Sequence, residues 1–307
     1  MSEIKPANWP SSWLTPDWPA PPGVHAVCTS REGGVSQAPW GSLNLGDHVG
    51  DDMAHVTANR ACLTQALAAQ TEGACNVYLQ QIHGVDAVQL NAASAQGQAA
   101  DACVTDQVGM VCTIMVADCL PVLFAHQSGK VVAAAHAGWR GLAGMPPGTI
   151  GAPLKQGVLE KTFELFSTLE PANPVQAATD LIVNDSGHPA QIAAQTLAWL
   201  GPCIGPEAFE VGAEVRAAFI AHNAAAAEHF TAVPAPHASE QVPRKYLANL
   251  AQLARQRLRA LGITAIYGND GSPQWCTVSN AAQFFSHRRD AASLGSSGRF
   301  AACIWRG

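Results

Sequence analysis

Charge is scarce in this chain: 13% of its 307 residues are Asp, Glu, Lys or Arg, against 48% hydrophobic, about half the usual charged share. No run of Lys and Arg supplies the electrostatic footprint that phosphate-backbone binding requires, and the formal net charge is −6. Nucleic acid is therefore not an expected partner. The short basic cluster of Arg255, Arg257 and Arg259 reads as a solvated helix face. The N-terminus has no basic stretch followed by an apolar one, and the longest apolar run, Val111 to Ala125, is broken by Asp118. The expectation is a cytoplasmic protein with no membrane segment. A disulfide framework is missing too, because the nine cysteines are an odd number and form no CxxC pair. They read as reduced thiols, mostly small core residues. The absence of GxGxxG, GxxxxGK, GxSxG and HExxH removes the usual support for dinucleotide, P-loop, nucleophile-elbow and zincin readings.

What is present begins with an arm. The first 20 residues, rich in Trp and Pro, have neither helical nor strand period, and residues 1–23 are expected to lie extended on the body, pinned by Trp9, Trp13 and Trp18. Val24 to Thr29 predicts a strand, and Asp51-Asp52 opens a helix with Val56, Arg60, Leu63 and Leu67 at helical spacing. Asn76 to Gln81 predicts a strand ending at His83. A passage at about 144–193 reads as an insertion, an Ala-rich loop is expected up to about Ser239, and Leu247 to Leu261 carries the clearest helical stripe, stopped by Gly262. Arg299 to Trp305 closes the chain as a strand.

The middle of the chain carries the chemistry. Pro121 to Ala125 and Val131 to Ala135 flank a Ser128-Gly129 turn, which predicts a hairpin. Pairing Gln127 with Lys130 sets Pro121 opposite His136, and the period of two puts Cys119 on the same face at that end. Cys119 and His136 are thus expected to be neighbours. With His83 they make two imidazoles and a thiolate, each at a strand end, a donor set suited to Zn²⁺ with a fourth position open. The competing readings are buried core residues, or a Cys119 thiolate with His136 as its base, which leaves His83 idle. Asp118 could hold a ligand imidazole or shuttle a proton, or simply cap its loop. Arg31, Arg60, Arg140 and Arg288 lie in glycine-rich or polar loops where a guanidinium fork could grip phosphate or carboxylate, though a surface ion pair explains each singly.

The blocks Thr29-Ser30-Arg31-Glu32-Gly33-Gly34-Val35-Ser36, Ser42-Leu43-Asn44-Leu45-Gly46, Gln80-Gln81-Ile82-His83-Gly84, Asp101-Ala102-Cys103-Val104-Thr105-Asp106, Ala117-Asp118-Cys119-Leu120-Pro121, His136-Ala137-Gly138-Trp139-Arg140-Gly141, Gly201-Pro202-Cys203-Ile204-Gly205-Pro206, Phe284 to Asp290 and Ser297-Gly298-Arg299 resemble the YfiH family. The resemblance runs from about Val24 to Trp305. This family, once labelled laccase-like or multicopper polyphenol oxidase, is one of purine nucleoside phosphorylases with adenosine deaminase and methylthioadenosine phosphorylase activities. The resemblance implies an α+β fold of mixed β-sheets flanked by helices, related to cysteine hydrolases, over residues 24–307. It implies zinc on His83, Cys119 and His136, phosphate as co-substrate and purine nucleosides as partners, with Arg31, Asn44, Arg60, Arg140 and Arg288 as substrate or phosphate contacts. Copper oxidation of phenols is the alternative. The 11 histidines contain no His-x-His pair, which disfavours a blue multicopper oxidase.

Overall fold

The computed structural model describes residues 9–144, 156–170, 188–234 and 244–307. In chain order the elements are β1 (Val24–Cys28), α1 (Met53–Ala68), β2 (Cys75–Tyr78), β3 (Ala87–Gln89), β4 (Ala102–Thr105), β5 (Met110–Val116), β6 (Leu120–His126), β7 (Val132–Ala137), α2 (Trp139–Ala143), α3 (Val158–Leu169), α4 (His188–Ala194), β8 (Thr196–Leu200), β9 (Glu210–Gly212), α5 (Ala213–His222), β10 (Phe230–Ala232), β11 (Lys245–Ala248), α6 (Leu250–Ala260), β12 (Ala265–Gly268), α7 (His287–Leu294) and β13 (Phe300–Arg306). A 3₁₀ turn, Ala224–His229, precedes β10.

The strands form three sheets, ordered β1-β13-β5-β2, β12-β8-β6-β7-β4-β3 and β10-β11-β9. The first two are mixed: β2 with β5, β3 with β4 and β12 with β8 run parallel, and their other pairs antiparallel. This is the α+β architecture expected. The period of two sorts each strand's side chains between two faces. In β5, Cys112, Ile114 and Val116 meet Leu123, Ala125, Val132, Ala134 and Trp199 of the second sheet, forming a core between the layers. Val111 and Met115 point the other way, with Leu63 and Leu67 of α1. Val122 and Phe124 of β6 pack outward on Phe163 and Phe166 of α3 and Leu253 and Leu258 of α6.

The hairpin has the predicted register, with Pro121 opposite His136. Helix α1 starts where Asp52 accepts from the Ala54 N–H, and α6 stops at Gly262, whose φ of +87° suits a residue without a Cβ. Trp13 is buried, Leu14 bridges to Cys28, and Trp9 meets Trp305 edge-on; residues 1–8 of the arm lie outside the described residues. So do 145–155 and 171–187 of the 144–193 passage, while α3 within it belongs to the core.

Three expectations need correction. The stripe begins at Leu250, because Asn249 caps α6 by accepting from Gln252 N–H, and Leu247 instead pairs with Thr231 and Glu210 in the small sheet. The Ala-rich segment is a 3₁₀ turn followed by β10, and 235–243 lie outside the described residues. The basic cluster on α6 is not a solvated face. Arg257 is buried and paired with Glu160 at 2.6 Å, and Arg255 donates to the carbonyls of Ile266, Tyr267, Gly268 and Asn269.

Candidate metal centre

Three separate pieces of chain deliver the donors. His83 follows β2 in a loop, Cys119 directly precedes β6, and His136 lies near the end of β7 on the face that looks between the sheets. Their ligand atoms all lie within 4.8 Å of one another, and Cys119 Sγ is 3.8 Å from His83 Nε2. Tetrahedral zinc with ordinary Zn–S and Zn–N bonds sets sulfur and nitrogen about 3.6 Å apart. His136 is buried and His83 exposed, so the group opens to one side.

Asp101 holds this arrangement. It is fully buried; its Oδ1 accepts from His136 Nδ1 at 2.8 Å and from His83 N–H at 2.9 Å, and its Oδ2 accepts from Ile82 and Gly84 N–H. The contact to Nδ1 fixes the tautomer of His136 and turns Nε2 toward Cys119. The same carboxylate supports the left-handed backbone of His83, φ 59°. Asp118, φ 96°, is the other non-glycine residue with positive φ among the described residues. Two such residues beside one site store strain of about 1–3 kcal/mol each.

The electrostatics favour a thiolate. Burial alone would raise the Cys119 thiol, but the His136 charge and hydrogen bonds from both imidazoles hold it down to about 6. Burial alone would lower His136, and the Cys119 thiolate with Asp101 outweighs it, raising His136 to about 9. Gly138 closes the group from the α2 side. A Cβ there would lie 3.1 Å from both Cys119 Sγ and His83 Cδ2, so only hydrogen leaves the space clear.

The donors line a cavity of about 400 Å³, with Met115, Trp139, Ile204, Phe209 and Leu250 as apolar wall and His48, Asp118, His287, Arg288 and Arg299 as polar wall. That size suits a small molecule. A family model described as multi-copper polyphenol oxidoreductase laccase matches residues 25–178 and 175–307. A Pseudomonas aeruginosa protein named purine nucleoside phosphorylase is 43% identical over 295 residues, 96% of this chain and 98% of that one. An Escherichia coli protein named purine nucleoside phosphorylase YfiH is 42% identical over 96% of this chain and 99% of its own length. The crystal structure of Neisseria meningitidis protein NMB0706 superposes with a TM-score of 0.75 at 38% identity, covering 96% of this chain and 99% of that one.

The chain belongs to the YfiH family.

In this YfiH-family chain the donor set, one cysteine sulfur and two imidazole nitrogens, fits a borderline-soft divalent ion, which would displace the proton from His136, and no fourth His, Cys, Asp or Glu joins the group among the described residues. Of the substrate and phosphate candidates, Arg288 lines the cavity, and the other four do not. Arg31 donates to the Gly41 and Ala281 carbonyls and lies over Phe285. Arg60 pairs with Asp47, donates to the Leu45 carbonyl and stacks on Tyr78. Arg140 is exposed on α2 over Trp139. Asn44 is fully buried and bonds Gly46, Asp51 and the Arg299 N–H. Arg31, Arg60 and Asn44 thus support loops, while Arg140 is exposed beside Trp139.

Asp118 reaches the cavity wall, yet both oxygens are engaged at 2.6 Å, Oδ1 by the Thr277 hydroxyl and Oδ2 by the Arg288 N–H in the first turn of α7. A carboxylate there also complements the helix dipole. Sequence reasoning assigned no role to Asp101 or Arg299. Both stand in the motif blocks quoted above, Asp101 just before β4 and Arg299 just before β13, and that placement is the signal that marks them.

Proposed function

We propose that this chain is a zinc-dependent purine nucleoside phosphorylase that also deaminates adenosine hydrolytically. The observation that carries the reading is the convergence of His83, Cys119 and His136 at the wall of a cavity of small-molecule size. The names of the relatives supply the substrate class. Bound by these three side chains, the ion supplies a Lewis acid that acidifies water for attack on an electron-poor ring carbon. The protein's part is stated in its own residues. Asp101 keeps His136 in the tautomer that offers Nε2, Gly138 keeps the space between the donors clear, and the side chains of Trp139, Ile204, Phe209 and Leu250 offer a purine ring an apolar face. In phosphorolysis the cationic wall of Arg288 and Arg299 attracts the anionic co-substrate.

The test is to incubate metal-loaded parent and its Cys119→Ala variant with adenosine, with and without phosphate, and to separate the products by chromatography. Phosphate-dependent adenine and phosphate-independent inosine are expected from the parent alone. Quinone formation from phenols with neither purine product would return the reading to the oxidase that the family description suggests. A second reading is favoured by the depressed Cys119 thiol and the raised His136: a thiolate nucleophile acting without metal. Chelation separates the two, abolishing turnover under the first and sparing it under the second.

A further inference from the structure

Of the two guanidinium groups on the cavity wall, that of Arg288 belongs to an exposed residue and the other to the half-buried Arg299. Its backbone N–H donates to Asn44 Oδ1 at 2.8 Å, and its carbonyl accepts from Leu45 N–H at 3.0 Å. Its stem lies against Gly46, where a Cβ would come within 2.8 Å of Arg299 Cγ. Backbone and stem are therefore clamped. Nη1 donates to the Ser297 and Gly298 carbonyls at 2.9 and 3.0 Å. Nε and Nη2 have no acceptor, and no carboxylate pairs with this side chain, among the described residues. Three other arginines drawn from solvent have a carboxylate, Arg60 with Asp47, Arg257 with Glu160 and Arg289 with Asp290, and in Arg255 all three nitrogens donate to carbonyls. Arg288, the other arginine of the cavity, donates to the Ala208 and Glu210 carbonyls.

Cys119 and Asp118 act on the Arg299 guanidinium by charge, but neither bonds it; drawn partly out of water with two free, coplanar donors, it costs free energy until an oxyanion meets it. Bidentate contact with a phosphate matches that fork. His48 stands on the same cavity wall, close enough that the Arg299 charge helps to depress its imidazole pKa, after burial. Asn44 thereby acquires an indirect role, as the side chain that seats Arg299.

We propose that Arg299, with His48 beside it, is the orthophosphate subsite of this cavity. The proposal rests on the phosphorylase reading above and deepens it. In the reaction, a phosphate oxygen held at Arg299 forms a bond to the anomeric carbon of ribose as the carbon–nitrogen bond to the purine breaks. The base leaves with that electron pair and takes up a proton, giving ribose 1-phosphate and free purine.

Two measurements test it on the metal-loaded full chain. In steady-state phosphorolysis at saturating adenosine, R299Q raises the KM for phosphate on the order of 10- to 100-fold, R299K raises it less, and the KM for adenosine moves little. In calorimetric titration with inorganic phosphate, the parent binds and R299Q binds at least tenfold more weakly. An unchanged phosphate KM or unchanged titration in folded R299Q overturns the subsite while leaving the phosphorylase reading standing. Absence of phosphate-dependent product in the parent overturns that reading, and the titration still decides the subsite. If R299Q weakens a nucleoside 5′-monophosphate but leaves orthophosphate untouched, the site belongs to a phosphate ester and the proposal fails. R299K supplies the comparison where R299Q does not fold.

Discussion

Replacing Asp101 by Asn tests how the ligand group is held together. The two carboxylate oxygens accept four N–H groups, Oδ1 from His136 and His83 and Oδ2 from Ile82 and Gly84. Asn keeps the shape but turns one acceptor into a donor, so whichever way the amide sits, two N–H groups face another N–H. Each lost charge-assisted contact is worth about 1.5 kcal/mol at the lower end, or about 3 kcal/mol for two. At about 2–4 °C per kcal/mol for a large domain, the melting temperature falls by roughly 6–12 °C. Zinc affinity falls about 10- to 100-fold, because the His136 ring loses the carboxylate that orients it. Competitive chelator titration reads the affinity, and thermal melts of metal-free and loaded protein read the stability. An unaltered zinc affinity alongside the expected drop in melting temperature would refute the orienting role and leave Asp101 as loop support alone.

Gly138→Ala puts a methyl 3.1 Å from Cys119 Sγ and His83 Cδ2 on a backbone, φ −67°, that alanine accepts; metal content by elemental analysis is expected to fall while the melting temperature of metal-free protein changes little, and full occupancy would contradict the packing. Arg257→Ala strands the buried Glu160 carboxylate and should cost about 3–5 kcal/mol in denaturant unfolding, much of it recovered in an Arg257→Leu, Glu160→Leu double variant. Equal instability of the double variant would count against a desolvation origin. Burial alone would raise the Asp290 carboxyl, yet hydrogen bonds from Arg289 and Ser297 hold it below its ordinary value. Its contribution is therefore present above the unfolded pKa of about 3.9 and lost as pH falls through the lower folded value. Asp290→Asn should flatten the acid limb of the urea midpoint between pH 5 and 2, and an unchanged slope would dismiss this pair as its source.

The Cys119–His136 adjacency is legible in the sequence because a two-residue turn and the period of two convert position into register by counting. The helix starts at Asp52 and the stop at Gly262 are legible for a similar reason, since caps act within one turn. His83 reaches the pair only through the packing of one sheet on another, which no local pattern encodes, and its recognition rests on the family motif. The arginines show the same limit. Arg31, Arg60 and Arg140 stand in glycine-rich or polar passages as Arg288 does, but tertiary partners engage the first two and Arg140 lies exposed beside Trp139, while Arg299, just before a strand, is marked only by its motif block. Leu247 misleads because the helical stripe extends by chance across the Asn249 cap into β11.

The ligands straddle the seam between two layers, His83 emerging from the smaller sheet and Cys119 and His136 from the rim of the larger. An ion gripping all three acts as a rivet. By mass action the rivet also tightens the whole molecule, by about 4 kcal/mol when free ion stands a thousandfold above its dissociation constant.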